Sequence, residues 1–174
     1  MATERKGLIQ LGGKDVTVVG EDIQVGQAAP DFSAHALDWS VVRALADTQG
    51  KVRIIAAVPS LDTEVCDRET RRFNQEAARL SQDIVIQVIS TDLPYAQKRW
   101  CGASGVDQVM VLSDHMTAEF GEKYGCLIEE RRILRRAVFV VDRQGKVTYA
   151  AYMPALGVEP NYPEVLQAAQ AALL

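Results

Sequence analysis

The feature that most constrains the fold is an alternation along the chain between short apolar runs and segments with helical periodicity. Four runs have the length and apolar character of buried strands: KVRIIAAVPS (51–60), DIVIQVIST (83–91), QVMVLS (108–113) and RAVFVVD (136–142). After the first run, spacings of four, three, four and three residues define one face of a helix, formed by Cys66, Thr70, Phe73, Ala77 and Leu80. Strands that alternate with helices predict an α/β protein whose central sheet is covered on both faces.

Hairpin signals lie at both ends of this alternation. The opening LIQLGGKDVTVVG (8–20) predicts a β-hairpin that turns at Gly12-Gly13. Near the other end, RAVFVVD and KVTYAAY (146–152) predict a second hairpin around the turn at residues 143–145. No Ser/Gly/Pro-rich linker divides the chain, so we expect one domain over residues 1–174, with residues 1–20 as a hairpin extension.

Three further helices are predicted from their end signals. PYAQKRWC (94–101) opens on a proline, which suits the first position of a helix. Ser113 or Asp114 can cap a helix that runs through Tyr124 and ends at Gly125. The last segment, PEVLQAAQAALL (163–174), predicts a closing helix.

Composition and charge exclude several classes of function. A net charge of −4 gives no electrostatic reason to bind nucleic acid or an anionic membrane surface. The apolar runs are strand-sized and too short to span a bilayer, and MATERKGLIQ lacks the apolar stretch of a secretory signal, so we expect a cytoplasmic protein. The patterns GxGxxG, Walker A and GxSxG are absent, and the three cysteines and two histidines lack the paired spacing of a zinc site.

Cys66 stands where an apolar strand gives way to a charged helix. Unpaired N–H groups and the positive end of the helix dipole stabilise an anion in the first turn, and the thiolate is the nucleophilic form of cysteine. Cys66 also lies on the apolar stripe of the same helix, and free cysteine is among the most buried residue types. Spacing alone therefore leaves open whether Cys66 is a nucleophile or a packing residue.

Two motifs favour the nucleophile. Residues 59–66, PSLDTEVC, contain PxxxTxxC, and STDLPYAQKRWCG (90–102) places Cys101 35 positions beyond Cys66 on the next helix. A hydroxyl one turn before a thiolate can donate a hydrogen bond to it and to a bound oxygen substrate. With these two motifs the chain resembles the peroxiredoxins, and within them the bacterial thiol peroxidases of the atypical two-cysteine type.

The resemblance implies a role for each motif residue and a thioredoxin-like fold with a central mixed sheet. Cys66 would be the peroxidatic cysteine that attacks a peroxide and becomes a sulfenic acid, and Cys101 the resolving cysteine that forms an intramolecular disulfide with it. Thr63 and the backbone N–H of Cys66 would hold the peroxide oxygens, Arg136 would stabilise the thiolate, and Pro59 would shield the pocket. Thioredoxin would reduce the disulfide. No metal, haem or flavin is implied, because sulfur carries both electrons.

Some residues depart from the pattern of this family. Glu64 puts an acidic group near the thiolate, where its charge would oppose thiolate formation although it suits the helix dipole. Val58 replaces a frequent aromatic residue before the proline. Cys126 lies outside both motifs, and we interpret it as structural. Family members often prefer alkyl hydroperoxides and form homodimers, and we expect both here.

The segment EERRILRRAV (129–138) contains four arginines, and we predict different roles for them. We expect Arg131, Arg132 and Arg135 to form a solvated face that the two preceding glutamates balance. Arg136 is set apart from them by the resemblance, because strand alternation cannot decide between Arg135 and Arg136 when the strand boundary is uncertain by two residues.

Two other functions fit a thiol at this position. A thioredoxin-type disulfide exchanger would need a close pair such as CxxC, and the segment TEVC supplies only one sulfur. A redox sensor without turnover fits the cysteine motifs as well as an enzyme does. For the enzyme, we expect Cys66 and Cys101 to lie too far apart to bond until the first turn after Thr63 and the segment around Trp100-Cys101-Gly102 unwind.

Overall fold

A seven-stranded mixed sheet forms the centre of the computed structural model, which describes residues 1–174. Its strands lie in the order β11-β10-β5-β6-β7-β3-β4. Their bounds in chain order are β3 Ser33–His35, β4 Val41–Arg43, β5 Val52–Ala57, β6 Ile84–Ser90, β7 Met110–Ser113, β10 Ala137–Val141 and β11 Val147–Tyr152. The neighbours β5, β6 and β7 are parallel, whereas β10 is antiparallel to both β5 and β11. The α/β fold with a central mixed sheet is confirmed.

The central strand β5 is buried along its whole length, as its uninterrupted apolar sequence predicts. Its alternate side chains enter two different cores. Ile54 and Ala56 pack beneath helices α1 (Glu64–Ala77), α2 (Pro94–Ser104) and α4 (Tyr162–Ala171). Ile55 and Ala57 pack on the opposite face, towards helix α3 (Glu119–Lys123). Helices therefore cover both faces of the sheet, three on one and one short helix on the other.

The N-terminal hairpin is confirmed and joins a second sheet. Strands β1 (Glu4–Leu11) and β2 (Lys14–Val19) pair antiparallel, and the order β1-β2-β8-β9 is completed by β8 (Leu127–Ile128) and β9 (Ile133–Leu134). Both turn residues have positive φ, 58° at Gly12 and 76° at Gly13. Glycine adopts this conformation without steric cost, which explains why a two-residue turn closes here. The C-terminal hairpin of β10 and β11 and the closing helix α4 also form as predicted.

The predicted helix between Ser113 and Tyr124 is shorter than expected. Only Glu119–Lys123 are helical, and Ala118 before them has a φ of 53°. The Asp114 carboxylate does cap this helix, accepting hydrogen bonds from the N–H groups of Phe120 and Gly121 at 3.0 and 2.8 Å. The Asp114 carboxylate reaches these N–H groups from a turn and not from the position directly before the helix. Asp114 was therefore correctly predicted as a capping residue, but the predicted start of the helix was wrong.

No helix combines the length and the apolar character that a membrane span requires.

Candidate active site

Cys66 is the third residue of helix α1 and is fully buried, with 0% of its surface exposed. The helix starts at Glu64 because Thr63 is still extended, and the Thr63 carbonyl accepts the first intrahelical bond from the N–H of Asp67 at 2.9 Å. Cys66 also belongs to the apolar core between the helices and the sheet. Cys66 therefore packs in the core and also lies in the first helical turn, because a residue at the start of a helix can face the core.

Arg136 contacts the sulfur of Cys66 directly. Its Nη2 donates to Cys66 Sγ at 3.1 Å, and Nε and Nη2 both donate to the carbonyl of Leu156, at 3.0 and 2.9 Å. Arg136 is only 1% exposed and stands immediately before strand β10. Burial opposes its charge, but attraction to Glu69 and Cys66 outweighs burial and raises the pKa of the guanidinium. The guanidinium thus presents a fixed N–H donor to the sulfur of Cys66.

Glu69 is the functional candidate that sequence reasoning missed. It lies one helical turn after Cys66, is fully buried, and forms an ion pair with Arg136 through Oε2. Its other oxygen, Oε1, is buried without a hydrogen-bond partner. Burial raises the pKa of Glu69 to about 7, against the opposing charge and hydrogen bond of Arg136. The available signal was an acidic residue three positions after Cys66, since side chains three apart share a helix face.

The Thr63 side chain does not form the hydrogen bond to Cys66 that the motif predicted. Its hydroxyl donates to the carbonyl of Ser60 at 2.9 Å and not to Cys66. The Thr63 N–H bonds the same carbonyl at 3.2 Å, so residues 60–63 close a turn that competes for the hydroxyl. Thr63 is exposed at the surface, and Pro59 is buried before the turn. The hydroxyl oxygen keeps its acceptor lone pairs free.

Asp92 anchors the turn that precedes helix α1. Its carboxylate accepts hydrogen bonds from Ser60 Oγ at 2.7 Å, from the Leu61 N–H at 2.8 Å and from Ser90 Oγ at 2.7 Å. Asp92 lies in the loop between β6 and α2, two residues before Pro94. One carboxylate therefore ties the loop before Cys66 to the loop before the helix of Cys101. No motif in the sequence indicated this connection.

Cys101 lies within helix α2 and is 6% exposed. Burial raises the pKa of its thiol to about 11. Cys66, Cys101 and Cys126 are all free, and the first two contribute to the same core. In this conformation Cys101 is therefore a neutral thiol held inside the protein.

The structure also places Glu64 and Cys126, two residues that depart from the family pattern. Glu64 is exposed and pairs with Arg68 at 3.4 Å on the outer side of α1, so its charge is turned to solvent. Cys126 is fully buried, and burial raises the pKa of its thiol above its ordinary value, which suits an inert packing residue. No group of three or more His, Cys, Asp or Glu side chains is arranged to hold a metal ion.

The expectation for Arg135 is wrong. Arg131 and Arg132 are exposed, but Arg135 is buried, pairs with Asp22 at 3.0 Å and lies 4.3 Å from the centre of the Tyr152 ring. Consecutive residues of an extended segment point to opposite sides. Arg135 and Arg136 therefore enter different parts of the interior, and only Arg136 contacts Cys66.

Comparisons with known proteins identify the family of this chain. The profile of the redoxin family matches residues 24–166. A thiol peroxidase of Bacillus subtilis (strain 168) is 50% identical over 163 residues, 94% of this chain and 96% of the relative, and one of Oceanobacillus iheyensis is 53% identical over 151 residues, 87% and 91%. The crystal structure of a peroxiredoxin-like protein from Aquifex aeolicus superposes with a TM-score of 0.84 at 37% identity and covers 98% of both chains. The chain therefore belongs to the redoxin family, as a peroxiredoxin-type peroxidase of the bacterial thiol peroxidase subgroup.

Proposed function

We propose that the chain reduces hydrogen peroxide and organic hydroperoxides at Cys66, with Cys101 as the resolving cysteine. The observation that carries the proposal is the 3.1 Å contact between Arg136 Nη2 and Cys66 Sγ at the start of a helix. The thiolate attacks the terminal peroxide oxygen, an S–O bond forms, and the O–O bond breaks. The departing alkoxide or hydroxide takes up a proton, and Cys66 becomes a sulfenic acid.

Each group around Cys66 has a separate role in the reaction with the peroxide. Arg136 stabilises the thiolate and then the negative charge that moves onto the peroxide oxygens. The Leu156 carbonyl and Glu69 hold the guanidinium in place from two sides. Thr63 and the N–H of Cys66 orient the peroxide, with the free lone pairs of the Thr63 hydroxyl as the acceptor for a peroxide proton. Pro59 shields the pocket without adding a donor.

The sulfenic acid is then resolved within the chain. The Cys101 sulfur attacks the Cys66 sulfur, an S–S bond forms, the S–O bond breaks, and water leaves with the proton released by Cys101. A thiol whose pKa burial raises to about 11 is a poor nucleophile where it stands. We therefore infer that α1 unwinds after Thr63 and that α2 opens around residues 100–102 before the disulfide forms.

Thioredoxin is the proposed reductant and the cytoplasm the proposed compartment. A peroxidase that ends each cycle as an intramolecular disulfide needs a dithiol donor, and reducing compartments supply one. We propose that residues 1–174 act as one catalytic domain, with residues 1–20 as a hairpin extension.

An exposed apolar surface supports a homodimer. Tyr95 and Met116 are 70% and 60% exposed; the Tyr95 ring lies beside a cluster of rings formed by His35, Trp39 and His115, and Met116 lines a small cavity together with His35. Grouped apolar side chains of this kind mark interaction sites more often than scattered ones do. We propose that a second copy of the chain covers this surface, and Tyr95→Glu should then shift the sedimenting species from dimer to monomer.

The coupled assay tests the catalytic proposal. Peroxide consumption is followed through NADPH oxidation with thioredoxin and thioredoxin reductase. Cys66→Ser should abolish turnover, whereas Cys101→Ser should allow one oxidation of Cys66 but no thioredoxin-dependent cycle. Cys126→Ser is the matched control, a buried cysteine outside the site, and should keep nearly full activity. Substantial turnover by Cys66→Ser would contradict the assignment of the nucleophile.

A further inference from the structure

A hydrogen bond joins the neighbours of the two cysteines across the gap between helices α1 and α2. Asp67 follows Cys66 in the chain, and Trp100 precedes Cys101. The indole Nε1 of Trp100 donates to Asp67 Oδ1 at 2.9 Å. Both segments that must open before a disulfide can form are therefore tied to each other by the residues next to the cysteines in the chain.

Arg71 extends this tie along both helices. Its Nε donates to Asp67 Oδ2 at 2.8 Å, and its terminal nitrogens donate to Ser104 O at 3.3 Å and to Ser104 Oγ at 3.0 Å. The guanidinium carbon also lies 5.9 Å from the centre of the Trp100 ring. One oxygen of the Asp67 carboxylate thus bonds Trp100 of α2 directly. The other oxygen bonds Arg71, which in turn bonds Ser104 at the C-terminal end of α2.

We propose that Asp67 is a positioning residue for the resolving step, and that its bond to Trp100 limits how fast Cys101 reaches the Cys66 sulfenic acid. This inference rests on the proposed Cys66–Cys101 disulfide. Unwinding of the first turn of α1 moves Asp67, and opening of α2 around residue 100 moves Trp100, so the bond must break in either motion. The bond stabilises the closed conformation and is absent from the conformation in which the sulfurs meet.

The consequence is a competition for the sulfenic acid. In one branch Cys101 attacks, the disulfide forms and water leaves. In the other branch a second hydroperoxide transfers an oxygen to the Cys66 sulfur, a sulfinic acid forms, and the hydroperoxide leaves as its alcohol or, for hydrogen peroxide, as water. A stronger tie between α1 and α2 lengthens the life of the sulfenic acid and favours the second branch. Asp67 therefore sets how much peroxide the enzyme tolerates before it is inactivated.

Two variants remove the bond from opposite ends. Asp67→Ala removes the acceptor, and Trp100→Phe removes the donor while keeping an aromatic ring in the core. Glu76→Ala is the matched control, because Glu76 forms an ion pair with Arg72 on the same helix at 3.0 Å and does not contact α2. Each protein is reduced and mixed with peroxide, and samples are quenched with acid and a thiol-alkylating reagent. Mass spectrometry then counts thiol, disulfide and sulfinic forms against time.

Both variants should form the disulfide about threefold to tenfold faster than the parent, as expected for a partly exposed hydrogen bond to a charged group. The peroxide concentration that gives half sulfinic acid should rise by the same factor, while the rate of the first oxidation of Cys66 should stay unchanged. The double variant should be no faster than Asp67→Ala alone, since Asp67→Ala already removes the bond that Trp100→Phe removes. A general loosening of the fold would move the first oxidation rate as well.

The outcomes separate this inference from the proposed function. A parent protein that consumes peroxide without a Cys66–Cys101 disulfide would overturn the resolving step, and this inference with it. A parent that forms the disulfide, with Trp100→Phe and Asp67→Ala at the parent rate, would overturn the role of Asp67 alone. Rate increases that add in the double variant would also overturn it, because they would arise from independent effects.

Discussion

Glu69 should make the protein less stable as the pH rises from about 5 to about 8. Burial raises the pKa of this carboxyl from its usual value of 4.5 to about 7, with Arg136 opposing the change. Between these values the folded protein keeps a proton on Glu69 that the unfolded chain has released. Unfolding therefore releases a proton in this range, and the free energy of unfolding falls as the pH rises.

The size of the change in the free energy of unfolding follows from the pKa values of Glu69 in the unfolded and folded states. The interval between 4.5 and about 7 corresponds to about 3 kcal/mol, at about 1.36 kcal/mol for each pKa unit. Most of it, about 2 kcal/mol or more, falls between about pH 5 and about pH 8, where the protein can be handled. With a urea dependence of about 2 kcal/mol per molar, this is a change of about 1 M in the unfolding midpoint.

The assay compares the parent with Glu69→Gln, both in a Cys66→Ser background so that no thiol titrates beside Arg136. The glutamine keeps the size of the side chain and an acceptor for Arg136 but has no titrating proton. The difference between the two urea-unfolding free energies cancels the titrations that the proteins share. This difference should grow by about 2 kcal/mol or more in favour of Glu69→Gln as the pH rises.

Glu119→Gln is the control for this measurement. The Lys123 hydrogen bond lowers the pKa of Glu119 despite partial burial, so this carboxylate is ionised in both folded and unfolded states above about pH 5. Its difference from the parent should be constant over the same range. A Glu69→Gln difference that is equally constant, within about 0.5 kcal/mol, would refute the reasoning, since it would mean that burial does not hold a proton on Glu69.

Four other predictions concern the site and its opening. Arg136→Lys should slow the reaction of Cys66 with peroxide at least about tenfold in stopped-flow kinetics, because a lysine ammonium cannot bond three groups in fixed directions. Arg135→Ala should leave that rate unchanged but lower the free energy of unfolding by about 1 to 3 kcal/mol, and the reverse ranking would contradict the assignment of Arg136. Asp92→Asn should lower the same peroxide rate about threefold to tenfold, because a neutral side chain anchors the loop before α1 less strongly; an unchanged rate would remove Asp92 from the site. In a Trp39→Phe background, Trp100 emission should differ between reduced and oxidised protein, and identical spectra together with superposable structures would rule out the unwinding.

The sequence was sufficient for the layout of the fold and for the position of Cys66 at the start of a helix. Apolar runs of strand length and a helical stripe after residue 64 are local patterns, and strands β5, β6, β7 and β10 and helix α1 formed where they predicted, whereas α3 is shorter than its end signals indicated. The glycine pair of the N-terminal hairpin and the cap residue Asp114 also acted as their local chemistry requires. The end of the strand and the start of α1 placed Cys66 in a first helical turn, as expected.

Periodicity alone could not identify the residues that contact Cys66, and Arg136 was singled out only by the resemblance to the peroxiredoxins. Arg136 is 70 residues from Cys66 in the chain, and Arg135 beside it has the same chemistry. The choice between them depends on which side of an extended segment faces α1, and a shift of one residue reverses that choice. No residue close to Arg135 in the chain indicated that it is buried, since its partners Asp22 and Tyr152 come from distant segments.

Local periodicity thus determined the elements, their order and the helix start that presents Cys66, because these depend on residues that are neighbours in the chain. Packing decided the electrostatics of the site. The Glu69–Arg136 pair, the anchoring of the turn by Asp92 and the bond between Asp67 and Trp100 all join segments on different elements. Burial sets the charge state of Glu69 and of Cys101, and burial exists only after the helices have closed over the sheet.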